Sequence, residues 1–95
     1  MTEVVWEVRY KRSVAADLRR VDSPVRRRIR AAIEERLGAD PRCGKRLSGP
    51  RERETGLPLW SLRVGDFLVI YAFSDSELWI LVVRVGSRGG VYREL

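Results

Sequence analysis

The sequence contains no histidine and a single cysteine, Cys43, and these absences exclude several classes of chemistry. Without histidine the chain cannot form a Ser-His-Asp or a Cys-His catalytic arrangement. One cysteine cannot form a disulfide within the chain, and a transition-metal site would have to consist of carboxylates alone. We therefore expect neither a metal nor a cofactor, and we interpret Cys43 as a small, partly buried loop residue.

Long apolar stretches are also absent. The longest uninterrupted run is Phe67 to Phe73, whereas a membrane-spanning helix needs roughly 20 apolar residues. The first residues have no basic segment followed by an apolar stretch and a small-residue cleavage site, which is the pattern of a secretory signal. We expect no membrane partner and a cytoplasmic location.

The charge balance indicates an anionic partner. Lys and Arg number 19 against 13 for Asp and Glu, which gives a net charge of +6. Almost all of the cations are arginine, whose planar fork suits bidentate contacts to phosphate or carboxylate. A GC-rich genome would also enrich arginine codons, but the excess of positive charge does not depend on that explanation.

The length of 95 residues predicts one domain, 1–95, and hydropathy patterns predict its elements. Alternating apolar residues predict a strand over Val4–Tyr10, and Ser13 has the character of an N-cap for a short amphipathic helix. Ser23 and Pro24 begin a second helix that we expect to end at Gly38. The prolines and glycines of Ala39–Pro58 predict a loop. Three further strands follow at about Leu59–Val64, Phe67–Phe73 and Leu78–Val85.

This order predicts an α+β fold: an N-terminal strand, two helices, then a three-strand antiparallel meander, with the helices packed on one face of the sheet. Turns at Gly65-Asp66 and Ser74-Asp75-Ser76 are too short for anything but antiparallel neighbours.

Four arginines, Arg26, Arg27, Arg28 and Arg30, crowd the first half of the second helix, where cations oppose the helix dipole. Helix stability therefore does not explain them. A solvated face, a nucleic-acid contact and a surface for an acidic protein partner are all compatible with this pattern.

Arg88 and Tyr92, just beyond the last predicted strand, are the candidates for chemistry. An arginine at that place can hold a phosphate and stabilise developing charge, and a tyrosine can donate a proton or stack on a base. A polar C-terminus with a packed tyrosine is the competing interpretation.

Three motifs lie along the chain: Lys45-Arg46-Leu47-Ser48-Gly49, then Leu62-Arg63-Val64-Gly65-Asp66-Phe67 before an apolar strand that contains Tyr71, and Val85-Gly86-Ser87-Arg88 before Tyr92. Together with the order of the elements, these motifs resemble the RelE/ParE toxin superfamily. The resemblance implies a RelE-like β-α-α-β-β-β fold. It also implies a toxin of a type II toxin–antitoxin pair that a cognate antitoxin inhibits, and a toxin–antitoxin complex that binds operator DNA.

The RelE-like branch implies a metal-independent endoribonuclease that cuts mRNA on the ribosome, with the ribose 2′-hydroxyl attacking the adjacent phosphate. By this resemblance Arg88 contacts the scissile phosphate, Tyr92 stacks or donates a proton, and Arg63 supports them as a third catalytic residue. The remaining cations expected to bind RNA or the ribosome are Lys45, Arg46, Arg51, Arg53, Arg84 and Arg93.

Three positions depart from the family pattern: Leu68 stands where arginine is usual, and Ser61 and Ser87 stand where basic residues are frequent. Two alternatives therefore stay open. One is a ParE-like inhibitor of DNA gyrase, and the other is a catalytically degenerate module that only binds its antitoxin.

Overall fold

The computed structural model describes residues 5–91, which fold as a strand, two helices and four further strands. The strands are β1 (Glu7–Tyr10), β2 (Lys45–Arg51), β3 (Pro58–Val64), β4 (Phe67–Ser74) and β5 (Trp79–Ser87), and the helices are α1 (Arg12–Arg19) and α2 (Ser23–Ala32). A π-helical turn, Ile33–Leu37, extends α2, and a 3-10 turn, Pro41–Cys43, precedes β2. Within these residues no helix is long and apolar enough to cross a membrane.

The five strands form one sheet in the order β1-β5-β4-β3-β2. β1 pairs parallel with β5, and every other pair is antiparallel. β3 and β4 are joined by the predicted Gly65-Asp66 turn, in which Gly65 has a φ of 59° that favours glycine. The predicted α+β fold with an antiparallel meander is confirmed, and β2 adds a strand to it.

Both faces of the sheet are covered with apolar side chains. The larger cluster lies between the helices and the sheet and includes Val14, Leu18, Ile29, Ile33, Leu37, Leu62, Val69, Tyr71, Ile80 and Val82. A smaller cluster on the other side contains Leu59, Leu68, Ile70, Ala72 and Val91. Because β4 contributes to both clusters, its sequence is a continuous apolar run without alternation.

The prediction of a loop over Ala39–Pro58 was wrong for Lys45–Arg51, which forms β2. This edge strand is mostly exposed, so it has no apolar alternation to reveal it. Its register against β3 shifts between Arg46 and Arg51, and Gly49 adopts a φ of 100° inside that irregular stretch. An edge strand tolerates the missing N–H of Pro50.

Element ends also differ from the sequence predictions. The first strand is shorter than expected and begins at Glu7, while Val4 lies outside the described residues. α1 begins at Arg12, so Ser13 is not its N-cap; the Ser13 hydroxyl donates instead to the Val83 carbonyl at 2.8 Å. The last strand runs to Ser87, two residues beyond the predicted end.

Candidate functional site

An open groove of about 800 Å³ lies at the end of the sheet where β3 turns into β4. Its lining residues come from the π-helical turn, the start of β2, the β3–β4 hairpin and the turn after β5. They are Arg36, Cys43, Gly44, Lys45, Ser61, Leu62, Arg63, Leu68, Arg88 and Gly89.

Three of the predicted site residues meet in this groove. Lys45 is the first residue of β2 and pairs with Ser61. Arg63, on β3, donates through Nε to the Gly65 carbonyl at 3.3 Å. Arg88 follows β5, and its backbone N–H donates to the Asp66 carbonyl at 3.2 Å, which ties the turn after β5 to the β3–β4 hairpin. The structure thus places Arg63, Arg88 and Lys45 around one groove, and their roles stay predictions.

A fourth cation, Arg36, was missed by the sequence analysis. It lies in the π-helical turn, and its Nη1 donates to the Arg63 carbonyl at 3.2 Å. Nothing in the spacing of the second helix indicated this contact, because Arg36 reads as one more exposed arginine of an amphipathic helix.

The groove is electrostatically one-sided. Among the described residues that line it, four are cations and none is a carboxylate. All four cations are exposed, so each can meet a ligand from solvent. Clustered like charges with no internal counter-charge favour an anionic ligand, and arginine is suited to bidentate contacts with phosphate.

The floor between these cations is apolar. Leu68 lies opposite Arg63 in the β3–β4 ladder and opposite Gly86 in the β4–β5 ladder. Its side chain is 8% exposed and packs in the smaller apolar cluster. The neighbouring Ser61 is also buried. β4 therefore brings no charge to the centre of the groove.

The wall of the groove at Cys43–Lys45 is fixed from below by Tyr71. The hydroxyl of this fully buried tyrosine donates to the Pro41 carbonyl at 2.5 Å. Burial raises the pKa of Tyr71 well above its usual value, which keeps the hydroxyl a donor. The Asp40 carboxylate accepts from the Arg42 amide at 3.0 Å and caps the same turn.

Cys43 is exposed on the groove wall, which corrects the expectation of a partly buried cysteine. Its Sγ lies 3.6 Å from the Arg36 carbonyl, to which it donates a weak hydrogen bond. The thiol thus helps to fix the turn beside the π-helical segment.

The other predicted RNA-binding cations do not line this groove. Arg51, Arg53 and Arg84 line a separate cavity of about 200 Å³, and Arg46 lines a third. In the cavity of about 200 Å³, Arg84 forms an ion pair with Asp17, in which Nη2 lies 3.0 Å from Oδ1. The predicted residues Tyr92 and Arg93 lie outside the described residues.

Glu52, in the same cavity, is a buried carboxylate with three partners. Lys11 Nζ lies 2.6 Å from its Oε2, and the amides of Glu54 and Thr55 donate to it at 3.0 and 2.8 Å. Burial alone would raise the pKa of Glu52, but these donors outweigh it and lower the pKa to about 2. This contact pins the β2–β3 connection to the residue that links β1 and α1.

No group of three metal-ligating His, Cys, Asp or Glu side chains occurs within residues 5–91. The described side chains of the groove offer nitrogen donors, one thiol and one hydroxyl, which is a set suited to an anion rather than to a divalent cation.

Solved structures share this fold. The toxin–antitoxin complex RelBE2 of Mycobacterium tuberculosis matches with a TM-score of 0.73 and 24% identity, over 92% of this chain and 95% of that chain. The archaeal RelE–RelB complex of Pyrococcus horikoshii OT3 matches with a TM-score of 0.65 and 23% identity, over 92% and 99%. The intact RelBE complex of E. coli matches with a TM-score of 0.68 and 19% identity, over 86% and 95%.

No curated protein matches the sequence. A family model does: the one described as "ParE toxin of type II toxin-antitoxin system, parDE" matches residues 8–92. That match covers β1 through the turn after β5, so it includes every residue of the groove. The predicted resemblance is confirmed, and the chain belongs to the ParE toxin family of type II toxin–antitoxin systems, within the RelE/ParE superfamily.

Proposed function

We propose that this toxin cleaves mRNA on the ribosome, with the four-cation groove as the site that holds the RNA backbone. The observation that carries the proposal is the grouping of Arg36, Lys45, Arg63 and Arg88 around one groove that no described carboxylate lines. An RNA strand presents a regular row of phosphates, which is the ligand that such a groove complements best.

The proposed reaction needs no metal. The ribose 2′-hydroxyl attacks the adjacent phosphorus, the P–O5′ bond breaks, and the products carry a 2′,3′-cyclic phosphate and a 5′-hydroxyl. One proton leaves the 2′-hydroxyl and one reaches the departing oxygen. Arg88 and Arg63 stabilise the charge that accumulates on the phosphorane, and Tyr92 stacks on the base or donates the proton.

The proposed partners are the ribosome with its mRNA and a cognate antitoxin. RelE-type toxins that share the fold were solved in complex with RelB antitoxins. The net charge of +6 and the arginines on the exposed side of α2 suit an acidic antitoxin segment. The toxin–antitoxin complex is expected to bind operator DNA. Titration of the toxin with its antitoxin at low salt tests whether the two proteins form a complex.

The experiment is primer extension on a reporter mRNA in a purified translation system. The toxin is compared with Arg88→Ala, Arg63→Ala and Tyr92→Phe, and with Arg19→Ala as a control that removes an equal charge from the exposed side of α1. Losing a donor to the phosphorane should slow cleavage about 100- to 1000-fold, whereas the control should cut at the parental rate. Intact mRNA at high toxin concentration would refute the proposal.

Leu68 supports a second candidate, inhibition of DNA gyrase, because an apolar residue fills the centre of the groove where the family pattern has arginine. A ParE-like toxin needs a binding surface but no phosphorane. Induction of the toxin separates the two: a fall in translation indicates mRNA cleavage, whereas DNA-damage signalling with filamentation indicates gyrase. Harmless overexpression without antitoxin would indicate a degenerate module that only binds its antitoxin.

A further inference from the structure

Among the described cations that line the groove, Arg36 is the one that comes from neither the sheet nor the turn after β5. We propose that it contacts a backbone phosphate of the bound RNA, and that it provides beside Arg63 the charge that β4 does not bring there. This inference rests on the proposed function for the identity of the ligand, but its geometry concerns the groove alone.

The backbone of Arg36 is fixed from three sides. It lies in the π-helical turn Ile33–Leu37, and such turns inside α-helices occur frequently at functional sites because they redirect side chains. The Arg36 carbonyl accepts from the Asp40 amide at 3.1 Å and from Cys43 Sγ at 3.6 Å. The π-helical turn is therefore joined by hydrogen bonds to the segment that precedes β2, and the Arg36 side chain starts from a defined place.

The Arg36 guanidinium is anchored but not neutralised. A guanidinium has five N–H donors, and the hydrogen bond to the Arg63 carbonyl uses one of them. Ion pairs of residues 5–91 engage Arg9, Arg42 and Arg84, whereas Arg36 forms none within these residues. An anchored arginine loses less freedom when it binds a phosphate than a free one does.

The β3–β4 ladder explains why a charge is useful at this place. Arg63 pairs with Leu68, and Leu68 is buried in the smaller apolar cluster. A cation on β4 opposite Arg63 would face the groove, but the sheet has leucine there. Arg36 donates a hydrogen bond to the carbonyl of Arg63, the residue that pairs with Leu68. Its charge therefore enters the groove next to Arg63 from the helix side.

The test uses Arg36→Gln, which keeps an N–H donor for the Arg63 carbonyl and removes the charge. The matched control is Arg19→Gln, which makes the same change at an exposed residue of α1 that does not line the groove. Binding of a short single-stranded oligoribonucleotide is followed by fluorescence anisotropy between about 50 and 200 mM salt. Each lost phosphate contact should reduce the slope of log K against log salt by about 0.7.

We expect Arg36→Gln to lower that slope by about 0.7 and to slow ribosome-dependent cleavage at subsaturating toxin, with Arg19→Gln unchanged in cleavage rate. Adding Leu68→Arg to Arg36→Gln should restore the slope. Thermal melting of each variant separates loss of charge from loss of folding.

Equal slopes for Arg36→Gln and Arg19→Gln would overturn the inference, and cleavage by the parent toxin would in that case leave the proposed function intact. A parent toxin that cuts no mRNA would instead refute the proposed function, and the slope comparison would still decide whether Arg36 contacts phosphate. A folded double variant whose slope stays low would show that Arg36 does not act for the position opposite Arg63.

Discussion

The hydroxyl of Tyr71, at the centre of the sheet, donates to the carbonyl of Pro41 across 2.5 Å. Tyr71 pairs with Trp60 on β3 and with Val82 on β5, so its own position is fixed by two ladders. Pro41 begins the 3-10 turn that leads directly to Cys43, Gly44 and the start of β2. This hydrogen bond thus attaches one wall of the groove to the core of the sheet.

Removing that hydroxyl should destabilise the fold. Tyr71→Phe leaves the Pro41 carbonyl without the donor in a buried place, and we expect a loss of about 1–3 kcal/mol in the free energy of unfolding, measured by urea denaturation. Tyr10→Phe is the matched control, because Tyr10 is 38% exposed and should change stability by less than about 0.5 kcal/mol. Equal losses in the two variants would show that the Pro41 contact contributes nothing.

Gly44 is required by the same contact. A Cβ at this position would collide with the Tyr71 hydroxyl and lie 2.5 Å from the Ser61 carbonyl. Both neighbours are held in the sheet, so Gly44→Ala must displace the turn that carries Lys45, and we expect destabilisation of about 1–3 kcal/mol by overpacking.

Gly38→Ala should have the opposite effect and stabilise the fold. Gly38 has a helical φ of −62°, and a Cβ there meets no atom within 4 Å. Alanine in this helical position should therefore increase the free energy of unfolding by about 0.5–1 kcal/mol. The measurement is a rise in the midpoint of thermal unfolding. A Gly44→Ala variant as stable as the Gly38→Ala variant would contradict the close approach of Tyr71 to this turn.

The three central strands and the edge strand β1 were predictable from their apolar patterns, and the edge strand β2 was not. β3, β4 and β5 bury apolar side chains, so their patterns and short turns predicted both their type and their antiparallel pairing. β2 buries little, and its register shift near Gly49 removes any regular alternation. The parallel pairing of β1 with β5 joins residues some seventy positions apart, which no local pattern encodes.

The residues of the candidate site were likewise only partly predictable from the sequence. Arg63 and Arg88 follow recognisable strand and tail motifs, and the structure brings them to one groove. Arg51, Arg53 and Arg84 were expected in the same group because they are cations, but strand order sends them to another cavity. Arg36 was missed because its contribution depends on a π-helical turn that the sequence does not mark.

Acid should weaken the fold through Glu52. The pKa of this carboxyl falls from 4.5 to about 2 on folding, so the unfolded chain binds more protons between those values. The stabilisation is complete above about pH 4.5 and is lost as the pH falls toward 2, and it amounts to about 3 kcal/mol. Lys11 has a raised pKa, so its share is present below pH 10.5 and is lost only at higher pH. Urea denaturation at a series of pH values measures the decline.

Glu52→Gln identifies the source of that decline. The amide cannot titrate, so the variant should be less stable than the parent at pH 7 and should approach it near pH 2. Glu54→Gln is the control, because Glu54 is exposed and its ion pair with Lys11 spans 3.5 Å at the surface. A Glu52→Gln variant that keeps the full acid dependence would assign the decline to other carboxylates.

The last prediction concerns the attachment of α1 to the sheet. The buried Asp17 carboxylate accepts hydrogen bonds from the Val85 amide at 2.9 Å and from Arg84 at 3.0 Å. This one side chain therefore joins α1 to β5 shortly before the turn after β5. Asp17→Ala leaves a buried amide without its acceptor and should cost about 3 kcal/mol in the free energy of unfolding. Asp22→Ala removes the same charge from an exposed N-cap without a side-chain hydrogen bond, and it should cost less than about 1 kcal/mol. Because β5 leads directly to Arg88, Asp17→Ala should also slow any reaction in the groove, and unchanged activity in a destabilised variant would show that the position of Arg88 does not depend on Asp17.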